Sequence, residues 1–94
     1  MSMFPKVLVV DDSPVDRQIV GGLLEMDPFI QVQYAVSGRD ALEKIGDDVP
    51  KLVLTDLVMP EMDGLEFVKQ VVARHSVLPV VMMTAFAGVT QAVD

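Results

Sequence analysis

Cysteine is missing from this 94-residue chain. It therefore has no disulfide framework and no thiolate metal site, and a cytoplasmic home is the simplest inference. Positive charge is scarce: seven Lys and Arg face 14 Asp and Glu, for a net charge of −7. So acidic a surface repels phosphate backbones and anionic lipid, which argues against nucleic acid or a membrane as partner of this segment. Long apolar runs are missing too. No stretch approaches the roughly 20 residues that cross a bilayer, and no signal-peptide pattern opens the chain. With no repeat, low-complexity tract or interdomain linker, residues 1–94 read as one small domain. Yet 51% of the residues are hydrophobic and the mean hydropathy is +0.44. That apolar content belongs to buried strands.

The stretch Leu52 to Gly64, LVLTDLVMPEMDG, organises the rest. Leu52-Val53-Leu54 reads as a strand buried on both faces, and it stops at the carboxylate of Asp56. Pro60 and Asp63-Gly64 then force a loop and turn before a helical pattern opens at Leu65. Upstream, Lys6 to Val10 forms a first strand followed at once by Asp11 and Asp12. Ser13 caps a helix with Pro14 at its first position and Asp16 in its first turn. Val15, Ile19, Leu23 and Leu24 fall on one face of that helix, which should end near Met26, before Pro28. Gly21-Gly22 inside it lowers helix propensity and suggests close packing.

Ile30 to Ala35 alternates weakly, as a strand near a sheet edge does. Ser37 and Asp40 repeat the cap-then-acid pattern, and Ala41, Leu42 and Ile45 give a short helix closed by Gly46. The third helix runs from Leu65 to about Arg74, with the lone histidine, His75, in a solvent-exposed role at its end. Val80 to Thr84 is a fourth strand, and Phe86 to Asp94 suits the start of another helix. The β-α-β-α-β-α-β order implies a parallel sheet with right-handed crossovers and helices on both faces.

Strand ends in such a sheet share one edge, and ligands bind there. Asp11, Asp12, Asp56 and Thr84 would meet at that edge. The acids are either unrelated strand terminators or a cluster that needs a cation to relieve its repulsion. In the second case oxygen-only ligands suit Mg²⁺, and a metal-supported carboxylate beside a hydroxyl suits phosphoryl transfer.

VLVVDDSPVDRQIV, LVLTDLVMPEMDGLEF and PVVMMTA, in that order, resemble the receiver domain of two-component response regulators from Lys6 to about Ala87. The resemblance implies a flavodoxin-like three-layer α/β sandwich with strand order 2-1-3-4. It implies that Asp56 accepts a phosphoryl group from a sensor histidine kinase or phosphotransfer protein. Asp12 would ligate Mg²⁺ directly, Asp11 mainly through water, and the Val58 backbone carbonyl would complete the protein's share of the shell. Thr84 would be the switch hydroxyl and Ala85 the small residue beside the phosphoryl group.

The chain also departs from that family. A complete receiver continues through a further helix, strand and helix, and its fifth strand ends in a Lys that pairs with the phosphoryl oxygens. Here the last Lys is Lys69, in the third helix. The expectation is a C-terminally truncated receiver, 1–94, whose exposed fourth strand invites self-association. The function expected is a phosphoacceptor signalling module and not an enzyme. The alternatives are an interaction or oligomerisation fragment with a vestigial site, and an Mg²⁺-dependent phosphohydrolase. The last would need a general acid two residues beyond Asp56, where Val58 stands.

Overall fold

The computed structural model describes residues 4–83. Thr84 and Ala85, the sequence-predicted switch and phosphoryl neighbour, lie outside the described residues, as does the helix start expected at Phe86. The described chain alternates β1 (Lys6–Val10), α1 (Pro14–Leu24), β2 (Gln31–Ala35), α2 (Gly38–Asp47), β3 (Leu52–Asp56), α3 (Gly64–Arg74) and β4 (Val80–Met83). All strands are parallel in the order β2-β1-β3-β4, the arrangement expected from the sequence. The central pair, β1 and β3, carries the apolar runs, and Val7 to Val10 are all buried.

Successive strand residues face opposite sides of the sheet. Leu8, Val10 and Val53 join Ala41 and Ile45 of α2 and Phe67 and Val71 of α3 in one core. Burying a side chain such as Phe67 or Ile45 contributes roughly 1.5–3 kcal/mol. Met59 and Leu78 belong to the same core, and Met62 packs against it. Met26, by contrast, is exposed.

The helix starts follow the sequence pattern. Asp16, Asp40 and Glu66 donate their backbone N–H to Ser13 Oγ, Ser37 Oγ and Asp63 Oδ1 at 3.3, 3.0 and 2.9 Å. Each such cap satisfies a helical N–H and is worth about 1 kcal/mol. Burial opposes ionisation of Asp40. The Val36 N–H and the Lys44 ammonium outweigh it and hold the carboxyl below its usual range.

Two local expectations need correction. Gly46 does not close the second helix, which runs through it to a cap at Asp48, whose N–H bonds the Lys44 carbonyl at 3.0 Å. A glycine stops a helix by turning left-handed, and no glycine among the described residues has a positive φ. The second correction concerns α1. Its stripe of Val15, Ile19 and Leu23 stays 63, 57 and 67% exposed. The helix instead turns Gly21 inward, flanked by the partly buried Arg17, Val20 and Leu24.

Tyr34 of β2 explains that choice. A Cβ on Gly21 would lie 1.8 Å from the Tyr34 hydroxyl, which donates to Glu25 Oε1 at 2.6 Å. That hydrogen bond, with burial and the Glu25 charge, pushes the Tyr34 phenol up to about 12. A Cβ on Gly22, one residue on, meets nothing within 4 Å. The two glycines should therefore respond oppositely to alanine. In urea unfolding, Gly21→Ala should lose more than about 1 kcal/mol by displacing Tyr34. Gly22→Ala should gain about 0.5–1 kcal/mol through helix propensity.

Candidate functional site

Register places the site. Val10 pairs with Thr55, so β1 and β3 end level, with Asp11 and Asp12 leaving one strand and Asp56 closing the other. One carboxylate oxygen from each of Asp11, Asp12 and Asp56 lies within 4.8 Å of the others. Asp11 is 5% exposed, Asp56 is partly buried and Asp12 is open to solvent.

Backbone hydrogen bonds fix the cluster. The Asp11 N–H extends the ladder to the Ala35 carbonyl at 3.1 Å, and Asp11 Oδ1 accepts the Ser13 N–H at 2.9 Å. Arg17 Nη1 donates to the Asp11 carbonyl at 2.7 Å. On the other strand, the buried Thr55 hydroxyl donates to the Asp56 carbonyl at 3.1 Å, and the Leu57 N–H continues to Met83 at 3.2 Å. Gly64 closes the following loop by donating its N–H to the Leu57 carbonyl at 2.7 Å. A Cβ there would stand 2.6 Å from the Asp56 carbonyl oxygen and 2.8 Å from Leu57 Cα, so only glycine lets α3 begin this close to β3. Within the loop Glu61 takes a left-handed φ of 67°, and the Met62 N–H reaches back to the Pro60 carbonyl at 2.7 Å. That conformation costs a non-glycine residue roughly 1–2 kcal/mol.

The charges are unbalanced. Among the described residues none of the three carboxylates has an ion-pair partner; the ion pairs are Lys6–Asp48 and Lys44–Asp40. Burial pushes the Asp11 carboxyl above its usual range, and the charges of Asp56, Asp16 and Asp12 add to the rise, against the lowering effect of the Ser13 N–H. A clustered, oxygen-only donor set fits a hard divalent cation such as Mg²⁺, which needs a few carboxylates and keeps several waters.

The structure thus brings Asp11, Asp12 and Asp56 together as the sequence implied, and places Val58 in the adjoining loop, 74% exposed. It adds two positioning residues that the sequence reading missed, Arg17 and Thr55, and gives Gly64, expected there as a turn former, a further steric role. Arg17 reaches back six positions to a carbonyl, an interaction with no sequence signature. Gly64 had one, since Asp-Gly marks a turn; the steric demand beneath Asp56 did not show. His75 is the partly buried C-cap of α3, more enclosed than expected.

A parallel 2-1-3-4 sheet with acids converging at its C-terminal edge defines a class of phosphoacceptor domains, and comparison with known proteins agrees. The chain matches the family model described as "Response regulator receiver domain" over residues 7–94 and belongs to that family. It is 48% identical over 80 residues to a protein-glutamate methylesterase/protein-glutamine glutaminase of Nocardioides sp., covering 84% of this chain and 22% of that protein. It is 35% identical over 94 residues to regulatory protein AtoC of Escherichia coli, covering 100% of this chain and 20% of that protein. The chain therefore spans about a fifth of the curated relatives it matches. Among solved structures it resembles a chemotaxis response regulator of Vibrio cholerae, with a TM-score of 0.78 and 38% identity over 85% of this chain and 68% of that one. A receiver domain protein from Clostridium thermocellum gives a TM-score of 0.82 at 25% identity over 96% of this chain and 72% of that one. The chain is a receiver domain, a phosphoacceptor module of two-component signalling.

The Asp11 shift has a sign that can be tested. An acid whose pKa rises on folding contributes stability that is present at low pH and lost as pH climbs through the raised value. At neutral pH the charged cluster should therefore destabilise the metal-free fold. Asp11→Asn should raise the thermal midpoint in EDTA by several degrees, the equivalent of about 1 kcal/mol in a domain this small. Millimolar MgCl₂ should raise the midpoint of the parent chain more than that of Asp11→Asn. Differential scanning fluorimetry at pH 7 measures both.

Proposed function

We propose that Asp56 is the phosphoacceptor and that Asp11, Asp12, Asp56 and the Val58 backbone carbonyl hold Mg²⁺ beside it. The convergence within 4.8 Å, at the ends of β1 and β3, of three carboxylates that have no ion-pair partner among the described residues is the observation that carries this reading. Bound Mg²⁺ would offset the charge of the cluster and of the incoming phosphoryl group. The chain's own part is positional. Thr55 and Gly64 set the Asp56 backbone, and the Ser13 N–H and Arg17 hold Asp11. Asp56 Oδ attacks phosphorus, a P–O bond forms, and the P–N bond to the donor histidine breaks. The donor is a sensor histidine kinase or phosphotransfer protein, as receiver membership implies. Thr84 and Ala85 take the switch and phosphoryl-neighbour roles in this proposal on their sequence positions alone.

The 94 residues act as one receiver unit with a signalling role and no enzymatic output of their own. The methylesterase and glutaminase names belong to relatives of which this chain covers about a fifth. A cytoplasmic location is part of the proposal; no helix among the described residues is long and apolar enough to cross a membrane. β4 is the outer strand of the described sheet, and its Val81 and Met82 are 47 and 42% exposed. Pairing of that edge with a second copy is part of the proposal.

Incubation with acetyl phosphate and Mg²⁺ followed by intact-protein mass measurement tests the acceptor. One phosphoryl adduct is expected on the parent chain and none on Asp56→Asn; no adduct on the parent overturns the assignment. Static light scattering should show mass rising with concentration, and Val81→Lys should restore the monomer.

A further inference from the structure

A second concave site lies at the opposite end of the sheet from the carboxylates. A cavity of about 580 Å³ is bounded by Val49, Pro50 and Lys51 before β3 and by Arg74 to Pro79 after α3. No acid among the described residues lines it, although acids outnumber Lys and Arg by 14 to seven in the chain. Lys51 and Arg74 stand at its wall, with His75 and Ser76 beside them. Neither cation is used by the fold. Lys6 and Lys44 are held by Asp48 and Asp40, and Arg17 by a carbonyl, whereas the side chains of Lys51 and Arg74, like those of Arg39 and Lys69, have no hydrogen-bond or ion-pair partner among the described residues.

Arg74 alone would be unremarkable, because a cation in a last helical turn complements the helix dipole. Lys51 lies on another segment and has no such role. The carbonyls at the end of α3, which would repel an anion, are partly spent: Val71 accepts the His75 N–H and His75 accepts the Leu78 N–H, at 2.6 and 3.1 Å. The floor is apolar, with Pro50 and Leu78 buried, and Val77 stands at the rim 93% exposed. Cations above an apolar floor match one ligand chemistry.

We propose that this cavity binds a small organic anion, an acid headgroup on a short apolar chain. Lys51 and Arg74 take the headgroup while Pro50, Val77 and Leu78 receive the chain. The site lies away from the carboxylate cluster and does not depend on Asp56 being the acceptor.

Hexanoate is the probe, titrated into the ¹⁵N-labelled chain in EDTA at pH 7 and followed by amide shifts. Saturable shifts centred on Lys51 and residues 75–78 are expected. Lys51→Gln combined with Arg74→Gln should weaken binding about tenfold, as expected for loss of two partly exposed charge contacts. Lys69→Gln, an exposed charge outside the cavity, should leave it unchanged. Acetate, which keeps the headgroup and lacks the chain, should bind at least about threefold more weakly, the worth of roughly one buried methylene. Linear shifts, shifts spread equally over Arg39 and Lys69, or undiminished binding by the double variant would overturn the proposal.

Discussion

Repulsion among like charges is the constraint around which this fold is built. Asp11, Asp12 and Asp56 are held within 4.8 Å of each other, and a free chain would never gather them. The parallel pairing of β1 with β3 supplies the force, because burying Val7 to Val10 against Leu52 to Thr55 dictates where both strands stop. Hydrophobic burial is thereby converted into electrostatic tension at one edge. Each polar contact near the cluster serves that tension: Ser13 and Arg17 lock the Asp11 backbone and side chain, and Thr55 locks the Asp56 carbonyl.

The tension also explains the polarity of the molecule. Three of the acids converge where β1 and β3 end. At the other end Lys6 bridges to Asp48 at 2.7 Å, and Lys51 and Arg74 border a cavity that no carboxylate among the described residues lines. Under the proposed function a metal ion would be drawn to the acids of one edge and a phosphoryl group to that metal. The opposite edge offers cations directly.

Much of this was legible in the amino-acid order. The apolar run Val7 to Val10 followed by two acids, and Leu52 to Leu54 followed by Thr55-Asp56, carry strand burial and site position in the same few residues. The caps at Ser13 and Ser37 were legible because a hydroxyl followed three residues later by an acid has a local meaning. The misreadings arose where tertiary context decides. Periodicity marks Val15, Ile19 and Leu23 as one face of α1 but not whether that face meets the sheet. Tyr34, distant in sequence, fills the space over Gly21 and turns the helix. Gly46 was read as a stop because glycine often is one, yet the Lys44 carbonyl still found its partner one turn on. Thr84 and Ala85 were named from motif alone and lie outside the described residues.

The loop between β3 and α3 is tied at its two ends to the same strand terminus. Gly64 donates to Leu57 and rests against the Asp56 carbonyl, while Glu61 and Pro60 fold the intervening residues into a tight turn. A segment closed in this way behaves as a stiff collar rather than a hinge. Displacement of the Asp56 backbone cannot be absorbed by slack between strand and helix, since there is almost none. It is delivered to the first turn of α3, so that β3 and this helix move as a single lever.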